Sequence, residues 1–212
     1  MNFDLIAPCY NGLEMVTAGG LTQRVRTTFL HQLDTSQRLL ITGEGTGRFL
    51  TSLLRTDTAA RIDVIDSSRK MIQIARQRLR NAGLSEKNVT YIHKDIRDWQ
   101  GTSGQYDAIV SNFFLNCFTA GELATIIPSL ANAARSRARW LIADFTVPAH
   151  SWRRTRARIL LSLMYAFFQA ATRLSAKELI RPDALLERNH FKLLERQTYS
   201  HGFLYAHVWQ KD

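Results

Sequence analysis

Residues 39–50 read LLITGEGTGRFL. An apolar run ends at Gly43, glycines follow at positions 43, 45 and 47, and an apolar stretch resumes after Arg48. Glycines at that spacing let a backbone turn sharply and pass close to a ligand. A dinucleotide fingerprint, GxGxxG, would need its third glycine at position 48, where the chain has arginine. The loop is GxGxG instead, which can wrap a ligand that carries no pyrophosphate.

Working outward, the pattern alternates short apolar runs with helical stretches. Strands are predicted over 38–42, 61–65, 89–93, 106–111 and 139–144. Helices are predicted over 47–54 and 67–82, the second capped by Ser67 or Ser68 and closed by Gly83. Thr119 and Glu122 form a capping box that opens a helix towards Ala134, with Pro128 expected to bend it. A short helix over 182–189 precedes two final strands, 192–199 and 204–210. Strands alternating with helices imply right-handed crossovers and a mostly parallel sheet covered on both faces. The closing strand pair adds one antiparallel excursion at the edge. The fold class is therefore α/β and Rossmann-like. Residues 1–36, with a helical stretch over 21–33, are read as an N-terminal helical cap segment. Residues 37–212 are read as one domain with a cap insertion at about 146–180.

The chain has 212 residues, of which 45% are hydrophobic and 10% aromatic, enough for an ordinary core. The first residues, MNFDLIAPCYNG, lack the basic and apolar regions of a secretory signal. Two cysteines far apart make no disulfide framework, so a reduced cytoplasmic protein is expected. A net charge of +10 favours polyanionic partners without choosing among nucleic acid, an anionic membrane face or a phosphorylated substrate.

In such a sheet ligands bind at the C-terminal strand ends. Asp66 ends the second strand and can accept from both hydroxyls of a ribose, or cap the next helix. Asp95 ends the third strand and can accept from an exocyclic adenine amine, or cap a turn. The segments GEGTGRF, DSSRKMI, Asp95-Ile96 and YDAIVSNFFLNCF, with Tyr10-Asn11 upstream, resemble class I S-adenosylmethionine-dependent methyltransferases. The resemblance implies a seven-stranded sheet in order 3-2-1-4-5-7-6 with one antiparallel strand, and S-adenosylmethionine as cofactor. It implies that Gly43, Gly45 and Gly47 pass the methionine and ribose, and that Asp66 holds the ribose. Ser67 and Met71 would lie beside the adenosine, with Asp95 and Ile96 at the adenine. Asn112 and Phe113 would flank the methionyl group, and Tyr10 would close over the cofactor.

The sequence departs from the family pattern in two places. The acid two residues before the first glycine, which serves the cofactor's ammonium side, is Ile41 here. Glu44 is expected to take its place, the bland readings being a solvated side chain or a pair with Arg48. The Pro-Gly-Gly turn before the fifth strand is replaced by ARSRARW.

Methyl transfer is an in-line displacement in which orientation supplies much of the rate, so no catalytic signature is obligatory. The Asn112-Phe113-Phe114-Leu115 run lacks the prolines of nucleobase amino methyltransferases, which argues against nucleobase amine chemistry. Four arginines between 153 and 158 lead into an apolar stretch at helical spacing. It is read as a cap over an apolar or aromatic acceptor, as an anionic-membrane surface over 153–171, or as a core or dimer helix. Phe114, Phe118, Phe145 and Trp152 are expected to wall the acceptor pocket. Candidate bases are Tyr10, Asp144 and His150, with His31 and His201 weaker. The expected activity is O- or C-methylation of a small acceptor; the alternatives are an RNA methyltransferase and a catalytically silent cofactor-binding scaffold.

Overall fold

The computed structural model describes residues 19–148 and 178–212, and between them residues 152, 154, 155, 157–159, 161, 162, 166, 169 and 176. Helix α1 (Gly19–Thr27) precedes strand β1 (Arg38–Thr42). There follow α2 (Arg48–Leu54), β2 (Arg61–Asp66), α3 (Arg69–Asn81), β3 (Val89–His93) and β4 (Tyr106–Asn112). The chain continues through α4 (Ala120–Ala133), β5 (Ala134–Phe145), α5 (Asp183–Arg188), β6 (Phe191–Tyr199) and β7 (Leu204–Lys211).

The sheet has seven strands in the order β3-β2-β1-β4-β5-β7-β6. The β1, β2, β3, β4 and β5 neighbours pair in parallel, while β7 runs antiparallel to both β5 and β6. The central strands are apolar on both faces because both are covered. Leu39, Leu40 and Ile41 of β1 are each at most 1% exposed. Leu40, Ile109, Trp140 and Trp209 pack on the face shared with α4 and α5. Leu39, Ile41, Val110 and Val208 pack on the other, with Val25 and Phe29 from the N-terminal segment.

Local signals decide where elements stop. Ser68 caps α3 by accepting from the Met71 N–H at 3.1 Å. Past its end, the Leu84 N–H returns to the Leu79 carbonyl and the Gly83 N–H to the Arg80 carbonyl, with Gly83 left-handed at φ +67°. That pairing is a Schellman closure, and it needs the glycine there. The Thr119–Glu122 capping box forms as expected, and α4 runs on through Pro128. Strand β5 begins five residues earlier than its sequence reading. Tyr106 of β4 pairs with Ala134, but Ala108 already pairs with Arg139, so residues 135–138 form an irregularity before regular pairing resumes.

Candidate functional site

The three loop glycines after β1 all have left-handed backbones, at φ +62°, +64° and +81° for Gly43, Gly45 and Gly47. Each is glycine for its own reason. A Cβ on Gly47 would come within 2.7 Å of the Ala75 Cα, so this glycine lets α2 and α3 approach. A Cβ on Gly43 would enter the Phe114 ring at 2.1 Å. A Cβ on Gly45 would meet no protein atom within 4 Å. Its backbone conformation still favours glycine, and its open side is where a ligand can lie against the chain.

Asp66 is locked to that loop. Its carboxylate accepts from the Gly45 N–H at 3.1 Å and from the Ser68 N–H at 2.9 Å. The acid therefore sets the loop and faces the same mouth. Ser67 is half-buried, while Met71 and Ile96 are 3% and 5% exposed and belong to the packed interior. Both Asp95 oxygens accept from Arg97, which also reaches Glu122 at 3.0 Å. The Arg97 bonds hold the Asp95 carboxyl below its usual range.

Glu44 is half-buried, and its Oε1 accepts from the Leu50 N–H at 2.9 Å, across the first turn of α2. The carboxylate caps a helix that its own N-cap, Gly47, cannot cap. Burial pushes its pKa up to about 7 against that bond and against the charge of Arg26.

At the end of β4, Asn112 carries a buried amide nitrogen without a hydrogen-bond partner among the described residues. A buried donor left unsatisfied is costly, so such an atom marks a place where a ligand acceptor fits. Phe113 follows in a left-handed backbone, φ +52°, rare for a non-glycine residue, with its N–H bonded to the Ala143 carbonyl at 2.7 Å. Its ring lies 5.1 Å from Phe145, and Phe145 lies 5.4 Å from Phe203. The Arg26 guanidinium sits 4.9 Å over the Phe113 ring.

Asp144 is 2% exposed. It accepts from the Asn116 side-chain amide, from the Asn116 N–H at 3.3 Å and from the Phe145 N–H at 2.8 Å. Burial pushes it up to about 7. This carboxylate fixes the β4 loop to the end of β5. Cys117, whose thiol is pushed up by burial and by Asp144, lies beside it.

Phe118 is corrected from a pocket wall to a core residue. It is 1% exposed and packs edge-on to Phe114, with ring centroids 5.1 Å apart. Phe114 in turn fills the space over Gly43. Trp152 is 58% exposed. Leu161 and Ala176 pack with Phe145, Val147, Cys117 and Phe203. Tyr10 and His150 lie outside the described residues. Arg26, Asn116 and Phe203 join the site without having been singled out; Asn116 and Phe203 sit in segments already read as strand ends, whereas Arg26 has no signal beyond lying on a helix.

A shallow cleft of about 400 Å³, lined by Ser36, Gln37, Arg38, Ala59, Arg61 and Arg135, opens at the opposite end of the strands. Among the described residues no group of three His, Cys, Asp or Glu side chains could hold a metal ion, and no helix is long and apolar enough to cross a membrane.

The strand order, the glycine loop and the acid closing β2 give the seven-stranded, Rossmann-like methyltransferase fold. Residues 39–137 match the family model of the methyltransferase domain. No curated protein matches the chain at a significant level. Several solved structures share the fold. The apo form of SibL, an S-adenosylmethionine-dependent methyltransferase, is 19% identical over 93% of this chain and 56% of its own, with a TM-score of 0.69. Mitomycin 7-O-methyltransferase is 14% identical over 100% of this chain and 61% of its own, TM-score 0.73. Magnesium protoporphyrin IX methyltransferase from Synechocystis PCC 6803, with bound SAH, is 18% identical over 90% of this chain and 83% of its own, TM-score 0.65. The chain thus spans under two thirds of the first two.

Proposed function

We propose that the chain transfers a methyl group from S-adenosylmethionine to an oxygen or carbon of an apolar or aromatic small molecule. The observation that carries the acceptor class is the aromatic run Phe113–Phe145–Phe203, whose Phe145 and Phe203 pack with Leu161 and Ala176. Packed on one another at 5.1 and 5.4 Å, these rings form a continuous apolar wall on which an apolar or aromatic acceptor can lie. The small-molecule acceptors named for two structural neighbours, mitomycin and magnesium protoporphyrin IX, support the same class.

The cofactor's sulfonium supplies an already activated methyl group. The chain's own work is to bind and orient. Asp66 takes the ribose hydroxyls while its fixed bonds to Gly45 and Ser68 keep it in place. Gly45 gives the backbone approach. Asp95, held by Arg97, offers its remaining lone pairs to the adenine amine. Asn112 and Phe113 border the methionyl end. Asp144 acts as a positioning group for Asn116 and Phe145. Proton removal from a hydroxyl acceptor falls to His150, just past the end of β5.

The test is calorimetric titration with S-adenosylmethionine and with S-adenosylhomocysteine, NADH serving as control, followed by a panel of phenolic and quinone-like acceptors. Micromolar binding of both adenosyl ligands, weakened in Asp66→Ala, with turnover on an aromatic acceptor, is the expected result. Turnover on RNA alone would overturn the acceptor class.

A membrane surface is a second partner class with its own observation. The cap exposes Trp152 and Ile159, at 58% and 56%, beside the exposed Arg154 and Arg158. Apolar and cationic groups together suit an anionic headgroup layer. Co-sedimentation with phosphatidylglycerol vesicles, and none with phosphatidylcholine vesicles, is expected.

A further inference from the structure

The ARSRARW segment stands where the family pattern has a Pro-Gly-Gly turn, and the methyl-transfer mouth makes no use of it. In the structure it lies at the opposite end of the sheet. Tyr106 pairs with Ala134 and Ala108 with Arg139, so residues 135–138 bulge out of the β4–β5 ladder. Three of them are tied down. The Arg135 Nε donates to the Gly104 carbonyl at 3.1 Å, the Ser136 hydroxyl to the main-chain oxygen of Asp212 at 3.1 Å, and the Arg137 carbonyl accepts from Gln210 at 3.5 Å. Arg137 is left-handed at φ +61°, a conformation that a side chain makes costly. A bulge re-aims the side chains it carries. This one brings Arg135 to the cleft at the starts of β1 and β2.

Two further arginines meet it there. Arg38 and Arg61 are partners in the β1–β2 register, and partners in adjacent parallel strands leave the sheet on the same side. Arg38 is held in place, since it donates to Asp63 at 3.3 Å and lies 5.7 Å over the Tyr106 ring. Arg135 reaches Asp107 only at 3.8 Å. Arg61 is exposed and makes no ion pair among the described residues. Both acids have other donors of their own. Asp63 accepts from the Tyr106 hydroxyl at 2.8 Å, and Asp107 from the Gln37 and Arg38 N–H groups at 3.0 and 3.1 Å. The cleft of about 400 Å³ is thus lined by three guanidinium groups, with Ser36 and Gln37 beside them. Its volume is that of a small-molecule site.

We propose that this cleft binds a diphosphate group, free or carried on a small molecule, through Arg61 and Arg135 with Arg38 as the fixed third cation. A planar guanidinium pairs with phosphate oxygens two at a time, and a group with several anionic oxygens can engage three arginines at once. The site lies about 16 Å from the glycine loop along β1, at roughly 3.3 Å per residue. It is separate from the methyl-transfer mouth and does not depend on the reading given for it. It also accounts for the strained stretch at Arg137, which persists because it delivers Arg135.

The experiment titrates the full chain with inorganic pyrophosphate by calorimetry at constant ionic strength, with and without saturating S-adenosylhomocysteine. Binding of equal affinity is expected in both conditions. Arg61→Ser should weaken pyrophosphate at least about tenfold, with the melting temperature unchanged because the native side chain is exposed and unpaired. Arg61→Lys should lose less, since it keeps the charge and gives up only the fork. Arg135→Ser should weaken pyrophosphate by a factor like that of Arg61→Ser. Uridine diphosphate separates the two sources: a higher affinity than pyrophosphate means a carried diphosphate, an equal or lower one a free diphosphate. No binding of pyrophosphate, binding untouched by both serine variants, or binding abolished by S-adenosylhomocysteine overturns the proposal. So does a short single-stranded RNA that binds this face and that pyrophosphate does not displace, because the arginines would then form a nucleic-acid surface.

Discussion

The two ends of the central strands are built on opposite rules. At their N-terminal ends, polar groups close on one another. Asp63 accepts from Arg38 at 3.3 Å and from the Tyr106 hydroxyl at 2.8 Å. Asp107 accepts from the Gln37 and Arg38 N–H groups at 3.0 and 3.1 Å, with Arg135 at 3.8 Å. At their C-terminal ends, the same strands finish in left-handed residues at Gly43 and Phe113 and in the orphaned amide of Asn112. Both ends share the sheet and its core, so the difference is not one of fold. Satisfied polar networks stabilise; strained backbone and unmet donors persist only where something else profits from them. The contrast supports the proposed placement of cofactor binding at one end, with stability at the other.

The contrast breaks most readily with Asp63→Ala. Removing the shared partner of Arg38 and Tyr106 should cost about 3 kcal/mol, lowering the melting temperature by roughly 6–12 °C. Affinity for S-adenosylhomocysteine, read by calorimetry, should stay the same. Asp66→Ala should be read mainly in binding. The loss of charge-assisted bonds to a ligand should weaken S-adenosylhomocysteine by roughly 30-fold, about 2 kcal/mol, while the loss of its bonds to the Gly45 and Ser68 N–H groups lowers the melting temperature by less than Asp63→Ala does. If Asp63→Ala weakened S-adenosylhomocysteine as much as Asp66→Ala, the division between the ends would be wrong.

Gly45→Ala sharpens the comparison within one loop. A left-handed alanine costs about 1 kcal/mol, and its Cβ meets no protein atom within 4 Å. Any further loss should therefore appear only as weaker ligand binding, in a titration rather than a melt.

The smallest effect expected is a pH slope. Glu44 and Asp144 are raised to about 7 from ordinary values of 4.5 and 3.8. Each favours the folded state fully below its ordinary value, and that contribution is lost as pH rises through about 7. His207 opposes them, since its pKa is lowered from 6.5 to about 4 by burial; its contribution is present above 6.5 and lost as pH falls through about 4. Two groups against one should make the melting temperature fall between pH 5 and 8. Glu44→Gln should flatten that fall by roughly 2 °C.

Much of the frame was legible in the sequence because its signals are local. The apolar runs, the Thr119–Glu122 box and Gly83 act within a few residues of themselves, and the sheet order followed from the family resemblance. The site was legible only where it depends on strand ends, as with the three glycines and Asp66. The capping part of Glu44 was not legible because it depends on a backbone N–H six residues along, brought near by the turn itself. Phe118 misled because a run of aromatics does not say which ring turns inward. Arg26 left no trace, since its meaning arises only when α1 docks against an element some twenty residues away. The early start of β5 was missed because residues 135–138 break the alternation that marks a strand.

The strand order has a consequence for how the protein comes into being. β6 is made before β7, yet β7 lies between it and β5. Until β7 emerges from the ribosome, β6 has no neighbour in the sheet, and it is a strand whose residues 192–198 are all exposed, Leu193 and Leu194 among them. Trp209, Tyr205 and Val208 must then enter a gap between existing strands to complete both faces of the core. Synthesis therefore leaves a window in which an open apolar edge faces other nascent chains, and the length of that window is set by the time taken to add the last strand.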